Sequence, residues 1–266
     1  MKILVCFKTV PEFDQVVDAD WERFALDTDL RYAKRCFGCF DETALETALL
    51  LKDALITQRE DAVCCAVTLG SLPSSLCKTL FAVGFDHIQV LESSARTGEE
   101  FRPWETAAVL AQHISGGKWD LILAGRQAGY ADTGMVPLIL AEKLRLPVIT
   151  EAEFLAPLGK KSLFVERSGM SCKERIGIRL PALVVMGNSP VSSLRPATLA
   201  AQLNAAMYKA ETASVDGAIA GPACTSEAPR LIRKRAGRNG CILPGGNNLS
   251  QSAKVIARKL REWGFQ

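Results

Sequence analysis

Five short, mostly apolar runs mark the chain: Ile3 to Phe7, Ala62 to Leu69, His87 to Leu91, Leu121 to Ala124 and Ala182 to Met186. They are too short for core helices and have no polar alternation, the pattern of strands buried on both faces. Between them apolar residues recur with helical spacing. Asp41 to Leu55 puts Ala44, Leu45, Ala48, Leu49 and Leu51 on one broad face, and Leu72 to Val83, Pro103 to Ile114 and Thr133 to Leu144 follow the same period. Strands alternating with helices predict an α/β fold with a doubly wound, mainly parallel sheet. From Ile149 to Arg179 the pattern changes. Glu151 to Ala156, Ser162 to Glu166 and Glu174 to Arg179 are separated by turns at Pro157-Leu158-Gly159-Lys160 and Ser168-Gly169, which predicts an antiparallel extension of that sheet.

After a helix around Thr198 to Tyr208, residues 209 to 249 are rich in Ala, Gly, Pro, Arg and Asn with little periodicity. A last helix spans Leu249 to Trp263. The expected organisation is therefore a nucleotide-binding α/β domain over residues 1–208 and an irregular C-terminal arm and helix over 209–266. So long an irregular stretch either wraps a partner or is disordered.

Doubly wound sheets bind ligands at the carboxyl ends of their strands. Here those ends are Cys6-Phe7-Lys8, Thr68-Leu69-Gly70 and the segment from Gly125 to Val136. In that segment an apolar strand breaks at Gly125 and an apolar helix restarts after Asp132-Thr133-Gly134. A helix start carries unpaired N–H groups and partial positive charge, so a glycine-containing loop feeding into it suits a phosphate. An ordinary capped helix gives the same pattern, with Asp132 or Thr133 as its N-cap. The loop has neither the Walker lysine arrangement nor the Rossmann glycine triplet, so spacing alone names no ligand.

Composition narrows the classes. With 266 residues, 48% hydrophobic and 23% charged, the chain can bury a substantial core. No apolar run reaches the roughly 20 residues of a membrane span. Met1 to Lys8 is too short and too quickly charged for a signal peptide, so the expected location is cytoplasmic. A formal charge of +3 argues against nucleic acid as a partner, and the one basic stretch, Arg230 to Arg238, reads as a solvated or partner-facing arm. Nine cysteines without a secretory signal read as reduced thiols. Cys36 and Cys39 form a C-x-x-C, but His87 and His113 are isolated and no further ligands stand at zinc-site spacing, so no metal is expected. There is also no clustered His, Ser or carboxylate pair of the kind acid–base or nucleophilic catalysis needs, so no catalytic residue is assigned.

Several stretches together resemble the β subunit of electron transfer flavoproteins, in particular the FixA-like, bifurcating branch. The opening strand with Lys8 and Val10-Pro11-Glu12 is similar to the start of that family, and Asp41-Glu42-Thr43-Ala44-Leu45-Glu46-Thr47-Ala48 to its acid-led helix. Leu123-Ala124-Gly125-Arg126-Gln127-Ala128, followed by Asp132-Thr133-Gly134 and Val136, resembles its most specific motif. Arg179-Leu180-Pro181-Ala182-Leu183-Val184 and Arg195-Pro196-Ala197-Thr198-Leu199 complete the likeness. The chain departs from the family at Gly38-Cys39, where an Asn-Pro is usual, at Gly129-Tyr130-Ala131, where Ile-Asp-Gly is usual, and at Met135 and Pro137-Leu138.

The resemblance implies a Rossmann-like fold of the adenine-nucleotide alpha hydrolase kind and a heterodimer with an α subunit that carries the electron-transferring FAD. It implies either FAD, the favoured cofactor, or AMP in this chain. The function implied is electron relay between a dehydrogenase or NADH and an acceptor, in the bifurcating case as part of an NADH-oxidising complex; the alternative is a structural AMP-binding subunit. On that reading the N–H groups of Thr133, Gly134, Met135 and Val136 hold phosphate oxygens, helped by the Thr133 hydroxyl and Arg126. Arg126 could instead face solvent or pair with Glu142. Gln127 and Gly125 complete this cradle, while Cys6, Phe7, Lys8, Thr68, Leu69 and Gly70 line the adenosine side. Lys8 could equally be a plain surface residue. Asp41 either contacts the ligand or caps its helix, and Tyr130 either stacks on a ring or is a surface tyrosine. Leu199 stands where the resemblance puts a leucine that docks on a dehydrogenase; alternatively it starts an amphipathic helix with Leu203 and Met207.

Overall fold

The computed structural model describes residues 1–16, 33–92, 102–130, 132–169, 172–215 and 248–264. Most of the expected arm, residues 216–247 with the basic run 230–238, lies outside the described residues, as does Ala131. The chain divides into a body, residues 1–231, and a C-terminal unit, residues 232–266.

The body is built on one sheet, which among the described residues has nine strands in the order β11-β5-β4-β1-β6-β10-β7-β8-β9. At its centre β1 (Lys2–Cys6) pairs in parallel with β4 (Val63–Leu69) on one side and β6 (Leu121–Gly125) on the other. Beyond β4 come β5 (His87–Glu92) and β11 (Glu211–Ser214), and beyond β6 come β10 (Ala182–Met186) and β7 (Val148–Gly159), all still parallel. β8 (Ser162–Ser168) and β9 (Lys173–Arg179) complete that edge as an antiparallel meander.

Strand parity splits the core in two. Ile3 and Val5 of β1 face one layer with α1 (Cys39–Thr57) and α2 (Ser74–Val83); Leu4 and Cys6 face the other, with α3 (Pro103–Ser115) and α4 (Val136–Leu144). The sheet is therefore doubly wound, as its alternating elements predict. The chain runs outward from β1 through β4 to β5 with α1 and α2 on one face. It then crosses by α3 to the opposite face and enters β6 on the other side of β1. The gap between β1 and β6 is the switch point, where such sheets open a crevice at their carboxyl ends.

Four elements depart from the sequence expectation. β2 (Thr9–Pro11) and β3 (Arg35–Phe37) form a small antiparallel pair that no apolar run announces, because three-residue strands leave too short a pattern to read. Residues 211–214, expected in the irregular arm, are strand β11 on the sheet edge; its polar Glu-Thr-Ala-Ser sequence suits an exposed edge. Helix α4 starts at Val136 rather than Thr133. The helix expected from Thr198 is α5 (Leu199–Asn204) with a further 3-10 turn at Ala205–Met207.

In the C-terminal unit, α6 (Leu249–Glu262) is capped by Asn248, whose Oδ1 accepts from the N–H groups of Ser250 and Gln251 at 3.1 and 3.3 Å. Among the described residues no helix is long and apolar enough to cross a membrane.

Candidate functional site

The switch point holds a cleft of about 110 Å3 that opens to solvent. Its floor is the end of β1 with the residues beyond it, Cys6, Phe7 and Lys8, and the end of β6, Ala124 and Gly125. Leu69 enters from β4. The N-terminal ends of three helices close on it: Asp41 from α1, Pro103 and Thr106 from α3, Val136 and Pro137 from α4. Each helix start carries partial positive charge, and three aimed at one cleft favour an anion there.

Asp41 is the structural keystone of the floor. It sits in the first turn of α1, buried to 4% exposure, and the N-cap position belongs to Gly38 with no side-chain cap. Helix capping, one of the two roles expected of it, is thus not its role. Its carboxylate accepts instead from the N–H of Lys8 at 3.1 Å and from the N–H of Gly125, binding the ends of β1 and β6 to the helix start. Burial pushes its pKa up to about 7, against the pull of those two N–H donors and with a further push from Asp132. The approach is close enough to demand two glycines. A Cβ on Gly125 would stand 2.6 Å from Asp41 Oδ1 and 2.7 Å from the backbone of Phe40 and Asp41; one on Gly38 would stand 2.8 Å from the Ala128 carbonyl oxygen. Gly38, where the resemblance expects an Asn-Pro pair, is thus required by packing.

Asp132 orders the loop in the same manner. Its Oδ2 accepts from the N–H groups of Ala128 and Gly129, and its Oδ1 from Gly134 N–H at 2.7 Å. Thr133 Oγ1 lies 3.4 Å from the N–H of Met135. Neither Asp132 nor Thr133 caps α4, whose N-cap position is Met135. The loop is wound round the Asp132 carboxylate, and this is why the helix starts late.

Three cations stand at the walls, Lys8, Arg102 and Arg126. Lys8 is half-buried, with Nζ donating to the Tyr130 carbonyl oxygen at 3.0 Å and lying 5.8 Å from the centre of the Tyr130 ring. Tyr130 packs edge-on against Phe13 with centroids 5.3 Å apart. Arg126 neither faces solvent alone nor reaches Glu142: its Nη1 donates to Glu151 Oε2 at 2.9 Å and its guanidinium lies 4.5 Å from the Phe40 ring centre. Burial first, then the Asp41 charge, pushes the Cys6 thiol up to about 12, so that it is an apolar wall and not a nucleophile.

Of the residues marked from sequence, Cys6, Phe7, Lys8, Asp41, Leu69, Gly125, Arg126, Gln127, Asp132, Thr133 and Val136 line the cleft. Four lie outside its wall. Thr68 is buried within β4, and Gly70 ends that strand at φ 93° with its N–H on the Leu91 carbonyl. The N–H groups of Gly134 and Met135 turn toward Asp132 and Thr133. Sequence reading missed the whole α3 contribution, Arg102, Pro103, Thr106 and Leu110. The signal was available, since every helix of a parallel sheet begins near a strand's carboxyl end and Pro103 marks this one's first turn. Cys36 and Cys39 do not line the cleft; they flank an extended Phe37-Gly38 link, and among the described residues no group of three or more His, Cys, Asp or Glu is placed to hold a metal.

Residues 33–186, more than half of the chain and the stretch that builds most of this cleft, match the family model of the electron transfer flavoprotein domain. The chain belongs to the electron transfer flavoprotein family. Curated relatives agree. It is 33% identical over 188 residues to the Caffeyl-CoA reductase-Etf complex subunit CarD of Acetobacterium woodii, covering 69% of this chain and 67% of the relative. It is 26% identical over 198 residues to the putative electron transfer flavoprotein subunit YgcR of Escherichia coli K12, covering 70% and 71%. For an electron transfer flavoprotein the cleft has a suitable division of chemistry. Leu69, Leu110, Phe7, Val136 and Pro137 offer apolar contact to a ring, and three cations and three helix starts offer binding to phosphate.

Proposed function

We propose that this chain is the β-type subunit of an electron transfer flavoprotein heterodimer, and that the switch-point cleft holds FAD. The partner α subunit carries the electron-transferring FAD, and the pair passes electrons between a dehydrogenase or NADH and an acceptor, in the manner of the bifurcating branch. The observation that carries this reading is the convergence of the α1, α3 and α4 starts with Lys8, Arg102 and Arg126 on one cleft, in a chain of this family. A flavin supplies the redox chemistry when bound. The chain's own residues bind and orient: the Val136 N–H at the start of α4 and the Arg126 guanidinium take phosphate oxygens, and Leu69, Phe7 and Leu110 exclude water from the ring.

A second reading is favoured by one observation. The Tyr130 ring already packs on Phe13 and beside Lys8, so it offers no ready platform for an isoalloxazine. On that reading the cleft holds AMP and the subunit is structural. Denaturing the purified heterodimer and weighing the released small molecules decides between them. Two FAD per heterodimer is the expected result; one FAD with one AMP supports the structural subunit, and no nucleotide beyond the partner's FAD overturns both.

The α5 face supports a docking role for Leu199. Leu199, Leu203 and Met207 are 73%, 68% and 88% exposed. An apolar stripe held outward suits transient insertion into a pocket on a dehydrogenase. Leu199→Ala is expected to slow reduction by the dehydrogenase while nucleotide content stays the same; unchanged reduction sinks the docking role.

A further inference from the structure

Glu151 occupies an unusual place. Between Val184 and Met186 of β10 the register with β7 slips, so that Ile149 pairs with Val184 and Ala152 with Met186, and Glu151 falls in the resulting bulge at φ 56°. Positive φ is costly for a residue such as glutamate and persists only where the surroundings enforce it. Here they do. Gly187 N–H donates to the Ala152 carbonyl at 2.8 Å and Arg126 N–H to the Met186 carbonyl at 3.0 Å, which pins β6, β10 and β7 at one level. Gly187 also makes the room, since a Cβ there would lie 2.6 Å from Glu151 Oε2 and 2.9 Å from Glu151 Cα.

The strained bulge delivers one contact to the cleft, the Glu151 Oε2 to Arg126 Nη1 bond at 2.9 Å. The two side chains are 42% and 34% exposed, and an ion pair that wet stabilises a fold very little. Stability therefore does not account for the bulge. Arg126, however, is held on two sides, by Glu151 at Nη1 and by the Phe40 ring at 4.5 Å from its Cζ. Its Nε is buried and among the described residues has no hydrogen-bond partner, a donor left unmatched in a cleft-lining side chain.

We propose that Glu151 is a positioning residue: with Phe40 it fixes the Arg126 guanidinium so that the remaining donor edge meets a phosphate of the adenine nucleotide in the cleft. This rests on the nucleotide reading above and adds what sets the orientation of its arginine. A glutamate beside an arginine also has an opposite effect available, dilution of the positive charge that attracts the anion, and the two effects move affinity in opposite directions.

The test uses the purified heterodimer, stripped of its exchangeable nucleotide and titrated calorimetrically with AMP and with FAD. Glu151→Gln keeps an acceptor at the same reach. Glu151→Asn keeps a residue that tolerates positive φ but is too short to reach Arg126, so the bulge survives and only the contact is lost. Positioning predicts near wild-type affinity for Glu151→Gln and a loss of about five- to tenfold for Glu151→Asn, the scale of one hydrogen bond. It also predicts that Glu151→Asn adds no further loss in an Arg126→Ala background, a coupling that general structural damage does not produce. Tighter binding by both single variants overturns the proposal in favour of charge dilution. Wild-type affinity in Glu151→Asn, or losses that simply add in the double variant, also overturns it. A wild-type complex that binds neither AMP nor FAD overturns the nucleotide reading and this inference with it, whereas tight wild-type binding with an indifferent Glu151→Asn overturns only the role of Glu151.

Discussion

The switch-point cleft and the α5 face are built on opposite terms. In the cleft, charges are committed to the chain itself: Asp41 to the N–H groups of Lys8 and Gly125, Asp132 to its own loop, Arg126 to Glu151. On the α5 face the anchors are committed and the surface is not. Arg195 is bound to Glu46 at 2.8 Å and Asp53 at 2.7 Å, and Tyr208 stacks on Phe81 with centroids 3.9 Å apart, which fixes the segment at both ends. Leu199, Leu203 and Met207 between them face outward. One region is organised before anything binds, which suits a ligand held for the life of the protein. The other is a rigid frame for an apolar stripe, which suits a partner that comes and goes.

The sharpest way to break this contrast is at Gly125. A Cβ there meets backbone atoms of Phe40 and Asp41 at 2.7 Å, and backbone cannot swing aside as a side-chain tip can. Gly125→Ala is expected to cost about 2–3 kcal/mol in denaturant unfolding and to empty the cleft of nucleotide. Loss of nucleotide with full stability would instead mean that the glycine serves the ligand and not the α1 contact.

Next in size is the pH dependence of the floor. Asp41 is raised from 3.8 to about 7 in the folded chain by burial, so between those values the folded state holds a proton that the unfolded state has released. Its contribution to stability is fully present below about pH 4, falls as pH rises toward 7, and changes no further above that. Urea midpoints measured from pH 4 to 8 are expected to show this fall in the wild type and a flatter profile in Asp41→Asn. A parallel profile in the two proteins removes Asp41 as its source.

Asp132→Ala is a smaller lesion in the same region. It strips the acceptor from three backbone N–H groups in a loop that water can enter, an expected cost of about 1–2 kcal/mol. Because the lesion is local, the expected signs are faster amide exchange at residues 128–134 and weaker nucleotide retention. Unchanged exchange there would show that the loop is ordered by something other than this carboxylate.

How much of this was legible in the chain follows from the range of the forces involved. The central strands and α1 to α4 could be read because burial on both faces of a sheet writes continuous apolar runs, and helices write a period. The end of β1, the end of β6 and the Gly125 segment could be placed together because the parallel topology puts every strand's carboxyl end on one edge. What stayed hidden depends on partners far along the chain. Arg126 finds Glu151 rather than Glu142 because of a bulge and a glycine at position 187, neither of which has a local signature. Asp41 and Asp132 have the sequence positions of caps, and only the third dimension supplies the competing strand-end and loop N–H groups that take them. The helix of Leu199, Leu203 and Met207 was visible by its period, but periodicity cannot say whether an apolar face turns inward or outward.

The α5 face gives the smallest expected effect on the fold. Leu203 is 68% exposed, so its truncation removes almost no buried area and leaves no cavity. Leu203→Ala is expected to change unfolding stability by less than about 0.5 kcal/mol, against the several-fold larger cost of the single methyl at Gly125. Combined with Leu199→Ala and Met207→Ala it should remain as stable as the wild type and keep its nucleotide. What should fall is the rate of reduction by the redox partner, with the loss in the second-order rate constant rather than in the limiting rate, because an apolar stripe that only docks changes encounter lifetime and not electron transfer within the complex. A triple variant that unfolds early would mean that the stripe belongs to the core of the heterodimer, and the distinction between an organised cleft and an open docking face would fail at that point.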